Sequence, residues 1–244
     1  MSKIEWTERT WNPVVGCTKL SAGCKHCYAE TMSLRLKAMG VVDYRGGFAL
    51  KTLPHRLAEP LERKKPTMYF VNSMSDLFHE KVPFSYIDQV FDVIRRTPQH
   101  TYQILTKRGT VIRRYFESRD VPDNAWLGVS VENRRHGVPR IPELQAVDAA
   151  IRFLSVEPLL ERLGQIDLTG INWVIVGGES GHKARPMKKE WALEVRNQCI
   201  EADVAFFFKQ WGQWGADGVR RSKKANGRSL DGKIWDQFPS LAQA

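Results

Sequence analysis

Short apolar runs alternate with amphipathic stretches along the whole of this 244-residue chain, and no other feature restricts its fold as much. The runs are Trp11 to Val15, Phe48 to Leu50, Met68 to Val71, Tyr102 to Leu105, Trp126 to Val131, Ile151 to Val156, Trp173 to Val176 and Val204 to Phe208. Each is of strand length and rich in β-branched or aromatic side chains, whereas the segments between them repeat at helical spacing. "SYIDQVFDVIRR" puts Ile87, Val90, Phe91 and Ile94 on one helical face behind Ser85 as an expected N-cap. "KKEWALEVRNQCIEAD" does the same for Trp191, Val195 and Cys199, which makes Cys199 a core residue. The expectation is an α/β protein, a TIM-barrel-like (β/α) barrel, complete or partial.

The polar residues that close these runs give that expectation a chemical direction. Met68 to Val71 leads into "NSMSDLFHE", Tyr102 to Leu105 into "TKR", and the next two runs close as "SVEN" and "SVEP". Trp173 to Val176 leads to "GGESG", and Val204 to Phe208 to "KQWG". In a parallel barrel all strand C-termini share one face, the face that carries active sites. Asn72, Ser73, Asp76, Lys107, Arg108, Ser130, Glu132, Glu157, Glu179 and Lys209 are therefore candidates for a common pocket. Ser130 and Ser155 fall within apolar runs, where a polar group needs a partner.

Three of the four cysteines, Cys17, Cys24 and Cys27, fall within "GCTKLSAGCKHCYAE", directly after the first run. A closed structural site uses four ligands, and three thiolates leave one corner of an ion or cluster open for chemistry. The N-terminus lacks the apolar core of a signal peptide and no run is long enough to span a bilayer, so a cytoplasmic protein with no membrane contact is expected. In that reducing setting clustered thiols read as metal or cluster ligands rather than disulfides. His26 leaves a Cys3His zinc site as an alternative, although adjacent His26 and Cys27 are poorly placed to share one ion.

Charge points to the partner. Lys and Arg number 37 against 27 Asp and Glu, a net +10 with a pI near 9.6, which favours a polyanion such as nucleic acid or a nucleotide. The chain divides by composition into an expected barrel over residues 1–208 and a basic, Trp- and Gly-rich segment over 209–244, packed on or capping it. The indoles of Trp211, Trp214 and Trp235 in that segment either stack on unpaired bases or close the core.

A cysteine triad in the loop after the first strand of an α/β barrel resembles the layout of the radical S-adenosylmethionine enzymes. More narrowly, "WNPVVGCTKLSAGCKHCYAE", "NSMSDLFH", "LTKR", "GVSVEN", "LSVEPLL", "VIVGGESG" and "FKQWG" resemble, in order over roughly residues 5 to 215, a phage and prophage family of unassigned function described as radical-SAM-like. The resemblance implies a 4Fe-4S cluster on Cys17, Cys24 and Cys27, with the open iron chelating S-adenosylmethionine. An external electron donor then drives cleavage to a 5'-deoxyadenosyl radical. It implies cofactor contacts from His26, Tyr28, Asn72, Ser73, Asp76, Ser130 and Glu132. Glu157 and Glu179 would take part in proton transfer or substrate contact, and Lys107, Arg108 and Lys209 would bind an anionic substrate. Base modification and photoproduct repair are reactions of the expected kind; a metal-stapled nucleic-acid-binding protein and a radical enzyme with a small-molecule or protein substrate are the alternatives.

This sequence departs from the superfamily pattern of Cys-x3-Cys-x2-Cys, since six residues separate Cys17 from Cys24 and His26 stands where an aromatic precedes the last cysteine. Gly16 and Gly23 flank the longer stretch and give its backbone freedom to turn. The "GGE" that usually follows the second strand follows the seventh run here, so its methionine-holding role is not carried over.

Overall fold

The computed structural model describes residues 4–240; residues 1–3 and 241–244, the outer ends of the expected barrel and tail, lie outside the described residues. The chain forms two compact units. The first comprises Met1–Leu20, Cys27–Gly128 and Val147–Ala150, and the second Ser21–His26, Val129–Ala146 and Ile151–Ala244.

In chain order the first unit contains β1 (Arg9–Trp11), β2 (Val14–Val15), α1 (Tyr28–Ala38), β3 (Lys51–Thr52), β4 (Met68–Val71), α2 (Phe84–Arg96), β5 (Thr101–Thr106) and α3 (Gly109–Phe116). β6 (Ala125–Ser130) begins in it and ends in the second, which adds α4 (Arg140–Gln145), β7 (Ile151–Val156), β8 (Trp173–Gly177), α5 (Lys189–Glu201), β9 (Ala205–Gln210), α6 (Lys223–Asn226), β10 (Ser229–Leu230) and β11 (Lys233–Ile234). The main sheet has seven strands in the order β1-β4-β5-β6-β7-β8-β9, parallel at the β1–β4, β4–β5, β7–β8 and β8–β9 pairs. β1 and β9 are its two ends, so the fold is mixed α/β with a parallel sheet of the partial-barrel kind.

Two expected strands change. Trp11 to Val15 is not continuous: Trp11 ends β1, and Val14–Val15 form β2, antiparallel to β3. Pro13 has no N–H to give a ladder, so the strand breaks there. The Phe48 to Leu50 run is not a strand; pairing begins at Lys51, outside the main sheet, while the Phe48 carbonyl accepts from Cys17 N at 3.2 Å. Ser85 is not the N-cap of α2 either. Pro83 holds that position, and its fixed φ, −62° here, starts the helix without a side-chain cap.

The cores follow from the periodicities. α2 buries Tyr86, Ile87, Val90, Phe91, Val93 and Ile94 along one stripe and ends in Arg95 and Arg96, whose charge suits the helix C-terminus. Phe91 and Phe78 pack edge to face or stacked on Tyr115 and Phe116 of α3. In the second unit every residue of β8 is buried, and α5 adds Ala192, Val195 and Cys199. Full burial of each such side chain contributes about 1.5–3 kcal/mol relative to exposure. Beyond β9 the chain returns along it: Phe208 N donates to Trp235 O at 2.8 Å, Gln237 N to Phe206 O at 3.3 Å, and Phe206 N to Gln237 Oε1 at 3.0 Å.

Candidate functional site

In the first unit the ends of β1, β4 and β5 supply a buried polar network around Asp76. Its Oδ1 accepts from Thr106 Oγ1 at 2.7 Å and Phe78 N at 3.0 Å, and its Oδ2 from Lys107 N at 3.1 Å and Arg108 Nη1 at 2.8 Å. Arg108, 4% exposed, also donates from Nε to Glu80 at 2.9 Å and from Nη2 to Thr18 O and Oγ1 at 3.3 Å. Its Nη1 lies 3.7 Å from Cys17 Sγ. Burial works against the guanidinium charge, but Asp76 and Glu80 outweigh it, so the Arg108 pKa stands above its ordinary value. Thr18 Oγ1 is 2.8 Å from His79 Nε2. Burial and the Arg108 charge together hold that imidazole below the usual histidine range.

Asn72 follows β4 with φ of 58°, a left-handed conformation that costs a non-glycine residue energy and collects at functional sites. Its Oδ1 accepts from Val14 N at 3.1 Å, while its Nδ2, fully buried, has no hydrogen-bond partner. Ser73 Oγ donates to Asn12 Oδ1 at 3.1 Å, and the Tyr28 hydroxyl donates to the Ser73 carbonyl. The first unit thus brings Cys17, Asn72, Ser73, Asp76, Lys107 and Arg108 to consecutive strand ends, with Cys27 as the N-cap residue of α1 and Tyr28 its first residue.

The second unit holds Cys24, His26, Ser130, Glu132, Glu157, Glu179 and Lys209. Glu132 is 0% exposed and paired with Arg140 Nη1 at 2.7 Å; the same nitrogen donates to Ser130 O at 2.7 Å. Ser21 Oγ donates to Glu132 Oε1, and Ser21 Oγ lies 3.9 Å from Cys24 Sγ. Glu157 accepts from Lys209 Nζ at 3.3 Å, and its carboxylate occupies the space a Cβ on Gly177 would need, 2.3 Å from Oε1.

Glu179 is gripped by Arg185 through Nε at 2.8 Å and Nη2 at 2.5 Å, and by the Arg185 backbone N at 2.8 Å. Burial raises its pKa, the Arg185 bonds lower it more, and the nearby His26 charge adds to them, so the carboxyl sits below its ordinary value. Gly178 and the "QWG" stretch have one physical reason. A Cβ on Gly178 would lie 1.9 Å from the Trp211 carbonyl oxygen, because Gly178 N donates to Gln210 O at 3.0 Å and Gln213 N to Glu179 O at 3.0 Å. That backbone-to-backbone approach aims Glu179.

Sequence reasoning missed His79, Arg140 and Arg185. The last two follow their glutamates by eight and six residues, Arg140 at the start of α4 and Arg185 in the loop after β8, near enough in sequence to be tried as partners. The tail indoles prove to be closing groups: Trp211 is 2% exposed, and Trp211, Trp214 and Trp235 donate from Nε1 to the carbonyls of Ser229, Ala184 and Leu230. The charges of Arg196 and Lys233 lie over the Trp235 ring at 5.3 and 4.3 Å. The expectation of indoles free to stack on bases is corrected accordingly for Trp211.

Cys17, Cys24 and Cys27 are unpaired by disulfides and half-buried, and the guanidinium beside Cys17 suits an anionic sulfur. Cys199 is buried and its thiol is pushed up to about 12 by burial, unsuited to ligation. Among the described residues no three His, Cys, Asp or Glu side chains are gathered as a metal-ion site. No helix of the described residues is long and apolar enough to cross a membrane.

The model of a family described as protein of unknown function (DUF5131) matches residues 1–239. The chain belongs to the DUF5131 family. No curated protein matches this DUF5131 chain. Solved structures similar to it include a cysteine-to-serine mutant of spore photoproduct lyase, at 16% identity and TM-score 0.48, covering 73% of this chain and 57% of that one. Spore photoproduct lyase complexed with dinucleoside spore photoproduct is similar at 14% identity and TM-score 0.46, covering 77% and 59%. A double mutant of the same lyase with bound AdoMet and dinucleoside spore photoproduct is similar at 13% and 0.46, covering 79% and 61%. The chain thus spans less than two thirds of the length of these three structures.

Proposed function

We propose that this DUF5131 protein is a radical S-adenosylmethionine enzyme acting on nucleic acid or a nucleotide, by base modification or photoproduct repair. Cys17, Cys24 and Cys27 would hold a 4Fe-4S cluster which, with S-adenosylmethionine and an external electron donor, supplies a 5'-deoxyadenosyl radical. The observation that carries the reading is the set of three half-buried, disulfide-free thiols in the segment after the first strands, the first of them under an Arg108 N–H.

The chain's own residues have separable tasks in this reading. Arg108, fixed by Asp76 and Glu80, holds the Cys17 segment through Thr18. Asn72 offers a buried, unpartnered amide N–H to a cofactor acceptor, with Tyr28 and Ser73 beside it. Asp76, with its oxygens taken, acts by holding Lys107 and Arg108. His26, Ser130 and Glu132 complete the cofactor contacts, and the Arg140 pairing holds Glu132 in place. Glu157 sits at a strand end where a carboxylate can take part in proton transfer, and Glu179, held by Arg185, would contact the substrate. Lys107 and Lys209 supply charge for an anionic group, and the segment after residue 208 closes the second unit over β9.

Anaerobic purification followed by iron and sulfide counting, then dithionite and S-adenosylmethionine, tests the reading. A brown protein with about four irons that releases 5'-deoxyadenosine supports it, and Cys24→Ala should abolish both the iron and the product. A colourless protein holding zinc sinks it and makes the triad a structural staple.

A further inference from the structure

Two loops of the second unit, residues 178–188 after β8 and 211–222 after β9, are tied into one surface. Trp214 Nε1 donates to Ala184 O at 2.7 Å, Arg220 Nη2 donates to the His182 carbonyl, and Gln213 N donates to Glu179 O at 3.0 Å. The second loop is itself a closed hairpin, with Gly215 N on Val219 O at 2.9 Å and Arg221 N on Gln213 O at 3.0 Å. Exposed on the pinned loops and on the adjoining α6 are Lys183, Arg220, Arg221, Lys223 and Lys224. Across residues 181–185 and 214–224 the only carboxylate is Asp217, paired with Arg221 at 2.6 Å.

This concentration of cations is not spread over flexible, independent side chains; the backbone beneath is fixed by indole and main-chain hydrogen bonds. The same ties run to Glu179, so the surface borders the strand ends that carry the candidate acid–base residues of this unit. We infer that this basic rim binds the phosphodiester backbone of a nucleic-acid strand, and that the substrate is therefore a polymer rather than a single nucleotide. One nucleotide can occupy one or two such cations, whereas Lys183, Arg220, Lys223 and Lys224, beside the Arg221 already shared with Asp217, extend over two loops and α6 and suit a run of phosphates. Trp211 is buried and the Nε1 of Trp214 is committed to Ala184 O, so the rim offers charge rather than base-edge contacts. The inference rests on the proposed nucleic-acid substrate for its purpose, and its test reads binding alone.

The experiment is a fluorescence-anisotropy titration of the full chain with a labelled single-stranded DNA of about 20 nucleotides, repeated across salt concentrations. Affinity should fall steeply with salt, and the double variant Lys223→Gln with Lys224→Gln should flatten the log–log slope by about 1.4, at about 0.7 per phosphate contact on a single strand. A second double variant, Lys64→Gln with Lys65→Gln, removes the same charge from exposed positions of the first unit and should leave the slope unchanged. Equal flattening by both variants overturns the inference, since net charge alone would then explain binding. So does an unchanged slope in the rim variant, or AMP competing as well as the oligonucleotide at equal phosphate concentration. A protein without iron that keeps rim-dependent binding fails the proposed chemistry and retains the rim; one that cleaves S-adenosylmethionine but binds DNA independently of the rim fails this inference alone.

Discussion

Replacing Asp76 by asparagine tests whether the first unit depends on its buried ion pair. The two Asp76 oxygens receive four donors, two each, and the carboxylate is 6% exposed opposite a guanidinium that is 4% exposed. In Asp76→Asn the side-chain oxygen can satisfy one pair, Thr106 Oγ1 and Phe78 N. The new NH2 then faces the Lys107 N–H and the Arg108 Nη1, donor against donor. Losing a charge-assisted bond costs about 1.5–3 kcal/mol and an unsatisfied buried N–H about 1–3 more, in line with about 3–5 for breaking a buried pair from one side. At about 2–4 °C per kcal/mol for a chain of this size, even the lower figure lowers Tm by about 6–12 °C. Asp76→Asn combined with Arg108→Met removes the stranded cation and should recover part of the loss, giving a coupling energy in a double-mutant cycle. The assay is calorimetry with parallel urea unfolding. A single variant that melts within about 2 °C of the parent, or a strictly additive double variant, refutes the reasoning.

Gly178→Ala should destabilise the second unit by about 1–3 kcal/mol through a Cβ forced onto the Trp211 carbonyl, whereas Gly46→Ala, whose Cβ meets only Ala49 Cβ at 3.6 Å, should be near neutral in the same denaturant series. Burial and the Arg108 charge hold the folded His79 pKa below the ordinary histidine value of about 6.5, so its contribution is present above about pH 6.5 and is lost as the pH falls and the unfolded chain binds the proton first. The urea midpoint should therefore drop between pH 7.5 and 5.5, and His79→Gln should remove part of that slope; an identical slope in the variant would count against the burial argument. Cys199→Ala should leave iron content unchanged while costing about 1 kcal/mol from a small core cavity, whereas loss of iron would make Cys199 a ligand after all.

The strands that the sequence placed well, Met68–Val71 and Ile151–Val156, are almost wholly buried apolar runs, and their composition alone marks where they start and stop. Trp11 to Val15 read as one strand because apolar content conceals a change of partner: Trp11 pairs with Val71 and Val14 with Thr52. Polar residues at individual strand ends were legible, but their duties were not. Arg108 read as a free cation for a substrate anion, and only long-range folding brings Asp76, Glu80 and Thr18 onto it. The "GGE" and "QWG" blocks stood out as motifs, yet their mutual approach is a three-dimensional fact that spacing does not encode. His79 was invisible because its partner Thr18 lies 61 residues away.

The return of residues 235–237 along β9 has a consequence for the solubility of the polypeptide. β9 is the end strand of its sheet and reads Ala-Phe-Phe-Phe-Lys-Gln, an apolar, Pro-free run of strong β propensity. Phe208 N and both main-chain groups of Phe206 are satisfied only because Trp235 and Gln237 lie against them. A truncation after residue 232, or a protease cut in the exposed loop before it, would uncover those groups beside three phenylalanines and present an open template for another chain to add a strand. The closing segment therefore works as a guard against self-association, and a protein shortened there should precipitate even where its secondary structure persists.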